Sequence, residues 1–173
     1  NGPNDGNTDG IDLDCVSNAT LENLDIDTGD DAIAIRGAPR RLQLPSPPPC
    51  ENVTIRNAKL RSTSSVFRIG VGDGLIRNVT VENVTSDRGG SAITMDTVYG
   101  DPEKGGVDME NIVFRNCRFD NCRYAYSLWT AGKKLKFGIR DVTFENCRFP
   151  SDVPRRVGGD ESCPFRPERF HCR

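Results

Sequence analysis

One histidine, His171, occurs in 173 residues, as the third residue from the end of the chain. A Ser-His-Asp triad or a His-rich metal centre therefore has almost no imidazole to build on. Cysteine is too sparse for a disulfide scaffold: seven residues, an odd number, with no Cys-x-x-Cys pair for zinc. No apolar run approaches the ~20 residues that span a bilayer, so no membrane association is expected. Neither charge sign dominates. Lys plus Arg number 23 against 25 Asp plus Glu, which excludes a generic electrostatic nucleic-acid binder. No secretion leader is visible, so any leader has been removed or lies outside the chain. Apolar residues make up only 35%, yet they recur regularly to about residue 150, which argues against disorder. Gly and Pro, at 17 and 11, mark frequent turns.

The regularity is a repeat. Asn18-Ala19-Thr20-Leu21-Glu22-Asn23 returns as Asn52-Val53-Thr54-Ile55-Arg56-Asn57 and as Asn78-Val79-Thr80-Val81-Glu82-Asn83. It returns again as Asn111-Ile112-Val113-Phe114-Arg115-Asn116 and Asp141-Val142-Thr143-Phe144-Glu145-Asn146. The closing asparagines stand 34, 26, 33 and 30 positions apart. Apolar residues alternating with Thr or charge describe a strand with one buried face. The closing Asn suits a tight bend, because Asn tolerates the left-handed conformation. A second series follows the same rhythm: Ile11/Leu13, Ile33/Ile35, Phe67/Ile69, Ile93/Met95 and Tyr126/Leu128. Two strand series sharing their spacings predict an all-β parallel β-helix of about five coils, with length differences absorbed by loops. Leu21, Ile55, Val81, Phe114 and Phe144 then form one column. Cys117 and Cys147 fall in the apolar column of Leu24, Ala58 and Val84, which makes them core fillers rather than reactive thiols. Cys15, Cys50 and Cys122 are left undecided. The coils are assigned to residues 1–149. Residues 150–173 form a capping tail, in which Cys163 and Cys172 bracket two prolines and suit a local disulfide. The Pro-rich Pro45–Pro49 reads as a stiff loop.

Carboxylates gather where the second strand starts in the first two coils, in Asn7-Thr8-Asp9-Gly10-Ile11-Asp12 and Gly29-Asp30-Asp31-Ala32-Ile33-Ala34-Ile35. With Ile11 aligned to Ile33, Asp9 lies against Asp31 and beside Asp30. Like charges this close push at least one pKa upward. Three readings fit: solvated turn residues, a Ca²⁺ site, or paired carboxylates that hydrolyse a glycosidic bond. Strand alternation alone would turn Asp31 inward, so the cluster requires a sharp bend at Asp30-Asp31.

These two segments, their 21-residue spacing and the later Asn-Val-Thr rungs resemble the polygalacturonases, glycoside hydrolase family 28, over about residues 7–149. The resemblance implies a right-handed, pectin-lyase-like parallel β-helix and hydrolysis with inversion, without metal or other cofactor. It implies Asp30 as general acid and Asp9 and Asp31 as the pair that holds and activates water. For inversion the acid and base should stand ~6.5–9.5 Å apart. Two motifs of the family are missing. Its Gly-His-Gly falls on Ser64-Ser65-Val66, with Ser65 near the His position. Its Arg-Ile-Lys, which grips the substrate carboxylate, falls on Thr94-Met95-Asp96. Arg36 and Arg68 are the candidate replacement cations. The family places coils before the first one recognisable here, so the chain reads as the C-terminal part of a longer domain. The expected partner is a polysaccharide or oligosaccharide, with the chain monomeric and secreted. Asn-x-Thr sequons at Asn18, Asn52, Asn78 and Asn83 fit secretion, although the repeat itself generates them. The rival readings are a non-catalytic carbohydrate-binding β-helix and a polysaccharide lyase or epimerase on the same fold.

Overall fold

The alternating segments are laid down as parallel strands, and the asparagines turn them. In the computed structural model, Asn23, Asn57, Asn83, Asn116 and Asn146 have φ between +50° and +58°. Their partners at the head of each repeat, Asn18, Asn52, Asn78, Asn111 and Asp141, lie in the same left-handed region, at +53° to +60°. Asn and Asp enter this region readily because their short side chains bond locally, whereas most other residues clash there. Residues 6–99, 101, 103, 105–161 and the backbone of 170–172 are described.

Among the described residues the strands are β1 (Ile11–Asp14), β2 (Ser17–Thr28), β3 (Ile33–Arg36), β4 (Cys50–Ser62), β5 (Ser65–Gly70), β6 (Gly74–Asp96), β7 (Val107–Arg115), β8 (Arg118–Phe119), β9 (Cys122–Thr130), β10 (Ile139–Glu145), β11 (Arg155–Gly159) and β12 (Phe170–Cys172). They wind into a right-handed parallel β-helix, a curled sheet in which every named pairing is parallel. Each coil presents three faces. The repeat hexapeptide forms the first, the residues after its closing Asn form the second, and the second strand series forms the third. The predicted columns are the observed registers. Leu21 pairs with Ile55, Ile55 with Val81, Val81 with Phe114 and Phe114 with Phe144. On the third face Ile11 pairs with Ile33, Ile33 with Phe67, Phe67 with Ile93 and Ile93 with Tyr126. Unequal repeat lengths are taken up after the third face, in turns 37–49, 71–73, 97–106 and 131–138. The first of these holds a 3-10 turn at Arg40–Leu42 and the Pro-rich loop.

One apolar core runs the length of the stack, and from Cys50 to Leu128 most of its members have no exposed surface. In the first coil Leu21, Leu24 and Ile26 are only partly covered. Asparagine amides tie the coils at the bends. Asn52 donates to Asn18 at 3.0 Å, Asn78 to Asn52 at 3.0 Å and Asn111 to Asn78 at 2.9 Å. Asn83 donates to Asn57, and Asn146 to Asn116. Cys117 is buried and Cys147 partly so, and each donates its thiol to backbone carbonyls. Cys15, Cys50 and Cys122 are also free thiols. Cys163 lies outside the described residues, and with it the expected Cys163–Cys172 bond. Past Pro150, where no repeat is visible in the sequence, β11 adds to β9 and β12 adds to β10, so strands continue the stack.

Candidate active site

The third face carries the candidate carboxylates. β1 and β3 lie side by side, with Asp12 beside Ala34 and Asp14 beside Arg36. The pairing runs back past the strand ends. Gly10 N–H donates to Asp31 C=O at 2.9 Å and Ile11 N–H to Ala32 C=O at 3.1 Å. This close approach needs glycine at position 10, where a Cβ would stand 2.4 Å from Ala32 C=O. Asp31 itself precedes β3 and stands outside the strand. The bend at Gly29-Asp30 supplies the turn that alternation alone does not. Thr28 and Ser62 hydroxyls fix it by donating to Asp30 C=O at 2.7 and 2.6 Å.

Asp9, Asp30 and Asp31 consequently converge, and one carboxylate oxygen of each lies within 4.8 Å of the others. Asp31 N–H donates to both neighbours, to Asp9 Oδ1 at 3.1 Å and to Asp30 Oδ1 at 3.0 Å. Asp31, nearly buried, is held from three sides: by Ser64 Oγ at 3.0 Å, by Ser65 N–H at 2.9 Å and by Arg68 Nε at 3.2 Å. Burial, reinforced by the charges of Asp12, Asp30 and Asp31, raises Asp9 from the ordinary carboxylate range to about 6. The upward push expected for the cluster therefore falls on Asp9. Asn7, Ala34, Val71 and Tyr99 are among the other residues that line a cleft of about 410 Å³ around the three acids.

No family model matches the chain. A probable polygalacturonase of Arabidopsis thaliana is 28% identical over 141 residues, covering 64% of this chain and 31% of that protein. The relationship is polygalacturonase-like. The chain spans about a third of the length of this relative.

The other candidate residues divide into two groups. Arg36 and Arg68 line the cleft, and both are already paired. Arg36 reaches Asp12 and Asp14 at 2.6 Å each and Asp9 at 3.8 Å. Arg68 spans Asp31 and Asp96, at 3.2 and 3.0 Å. Asp96 is thus drawn in through Arg68, and burial holds it above the usual carboxylate range against the pull of Arg68 and Arg156. Ser65 and Thr94 are buried and share a hydrogen bond of 3.0 Å, away from the cleft lining. Sequence reasoning missed Ser64 as an Asp31 partner and Tyr99 as a wall. Ser64 differs from Ser65 only in its place at the bend, and Tyr99 arrives on a turn with no repeat pattern. Among the described residues, Asp9, Asp30 and Asp31 are the one group with metal-ligand spacing. Arg36 and Arg68 already supply the countercharge that a cation would bring.

Proposed function

We propose that this chain carries the carboxylate centre of a glycoside hydrolase acting on a pectic or related polysaccharide outside the cell. The supporting observation is the convergence of three acids from two successive coils in one cleft. The distant polygalacturonase relative agrees with it. In this reading Asp30 protonates the leaving glycosidic oxygen, while Asp9 and Asp31 hold the attacking water and take its proton. Asp31 is fixed by Ser64, Ser65 and Arg68, so its carboxylate is oriented before substrate arrives. Asp9 loses its proton near pH 6 and then serves as base. The closest oxygens, within 4.8 Å, stand nearer than the ~6.5–9.5 Å typical of an inverting acid and base. The stereochemical course is therefore read directly, from the anomer first released, as seen by proton NMR. The resemblance implies inversion, whereas a spacing at or below the ~5–5.5 Å of a retaining pair favours retention, and the anomer first released decides between the two.

Substrate charge follows from the arginines. A uronate requires an available cation, and both cleft arginines are engaged by aspartates. Asp96 stands where the family has a cation, and it is itself paired with Arg68, so no free cation is offered there. The sugar at that subsite is accordingly neutral. The test is reducing-sugar release from a panel of pectic and neutral polysaccharides, with Asp30→Asn as control. Cleavage of a polymer with a neutral sugar at this subsite, and little cleavage of unsubstituted polygalacturonate, is the expected pattern. Robust polygalacturonate cleavage abolished by Asp30→Asn overturns the substrate assignment. Turnover by Asp30→Asn within a few-fold of wild type overturns the catalytic one. The same commitment of Arg36 and Arg68 to aspartates is the observation that favours the rival reading, a saccharide-binding module without turnover.

A further inference from the structure

A second cavity, larger than the acid-lined cleft, lies away from the three acids, on the side of the stack where the third face turns into the next coil. It is a groove of about 1010 Å³ between the 40–49 loop and the turn at 134–137. Its floor and walls include Leu44, Pro47 and Phe137. Leu44 is 41% exposed, and Phe137 is braced by the Arg140 guanidinium 3.7 Å from its ring centroid.

Three cations, Arg40, Lys134 and Lys136, and two carboxylates, Asp73 and Asp108, line it. The carboxylates are spent on the fold. Asp108 accepts from the backbone N–H groups of Lys136, Phe137 and Gly138 at 2.7–3.0 Å. Asp73 accepts from Gly106 N–H at 2.9 Å and Arg40 Nε at 3.1 Å. Arg40 Nη2 is buried with no hydrogen-bond partner. Lys133 is paired with Glu103 at 2.8 Å, whereas Lys134 and Lys136 are exposed and enter none of the ion pairs found among the described residues. The groove therefore presents unpaired positive charge over an apolar floor, the reverse of the acid-lined cleft. The two cavities adjoin through Arg40, whose Nη1 donates to the carbonyl oxygen of Tyr99, a residue of the cleft wall.

We propose that this groove is a second saccharide site, which takes a chain of carboxylate-bearing sugars. Lys134 and Lys136 pair with the carboxylates, and sugar rings lie on Leu44, Pro47 and Phe137. The naming of a saccharide rests on the function proposed above, while the preference for negative charge rests on the lysines alone. A neutral subsite at the cleft and an anionic one in the groove together describe a polymer that carries both kinds of sugar.

Isothermal titration of the full chain with a galacturonate tetramer tests this, with a neutral galactose tetramer and a Glu-rich peptide as comparison ligands. The uronate should bind more tightly than either. The double variant Lys134→Gln/Lys136→Gln should weaken uronate binding by about tenfold and reduce its salt dependence. Both lysines are exposed, so the fold should be unaffected. Asp30→Asn should leave this affinity within about twofold of wild type, which separates the groove from the catalytic reading: hydrolysis lost with uronate binding retained supports the groove. Unchanged binding in the double variant overturns the proposal. So does a neutral tetramer or an acidic peptide that binds as tightly as the uronate, or uronate binding that is lost with Asp30→Asn.

Discussion

Through the first two coils the core is aliphatic, with Ile33, Ile35 and Ile55 fully covered but Ile11, Leu21, Leu24 and Ile26 only partly so. The outer surface there is crowded with charge. Through the last two coils the core is aromatic. Phe114 meets Phe67 and Phe144 edge-on, with centroids 5.5 and 5.4 Å apart, and Phe119 stacks on Phe149 at 5.3 Å. Tyr126 closes the group against Phe144 and Phe149. The backbone is the same in both regions. What differs is where free energy resides. Packing dominates at the back, since aromatic side chains bury the most area and gain further from edge contacts. At the front, three acids are held together against their mutual repulsion by Arg36, Arg68 and a backbone N–H. The acid cluster sits on the half that packing supports least.

The comparison predicts that the two halves fail in different assays. Asp30→Asn should lower turnover by about 10²–10⁴-fold, most for poor leaving groups, with no loss of folded structure by circular dichroism. A matching collapse in melting temperature would mean that the acids are structural after all. Phe114→Ala should cost about 3–5 kcal/mol in denaturant unfolding, whereas Leu21→Ala, in the same column but partly exposed, should cost less than about 2 kcal/mol. Equal losses would erase the distinction between the halves.

A finer test uses Asp9. Its folded pKa lies near 6, above the unfolded value of 3.8, so the folded state holds its proton more tightly. Stability is therefore highest while Asp9 is protonated, falls as pH rises from about 4 to about 6, and stays reduced above that. Asp9→Asn should abolish this fall and gain about 1–3 kcal/mol at pH 7, measured by urea unfolding across the range. Because Asp9 acts as base in the proposed reaction, turnover of the wild type should rise through pH 6. A falling limb there would make Asp9 the acid. The smallest effect is expected at the bends. Asn78→Ala should cost about 1–2 kcal/mol, from the left-handed φ and the two lost amide bonds, and Asn78→Gly less.

Much of this was legible in the sequence because stacking turns a repeat directly into contacts. Once Asn23, Asn57 and Asn83 are aligned, every residue between them inherits its neighbours, and the register of Leu21 with Ile55 needs no further information. Asp9 and Asp31 met for the same reason. The partners of the cluster were only partly legible. Arg36 and Arg68 follow from their strand positions, but their commitment to aspartates depends on side-chain reach. Ser64 and Tyr99 lie on bends, where no period applies, and so does the whole lysine-bearing groove. The strands β11 and β12 escaped because Arg155–Gly159 shows no alternation of apolar and polar residues; backbone pairing with β9 holds it in place.

The turns after the third face have a further consequence. A coil with a three-residue turn at 71–73 and one with the long 37–49 turn climb the axis by the same strand spacing, ~4.8 Å. Chain length and height are thus uncoupled, and the molecule behaves as a ruler whose graduations ignore what hangs beside them. Extra residues spliced into the exposed 41–46 stretch should leave the columns of the core in place.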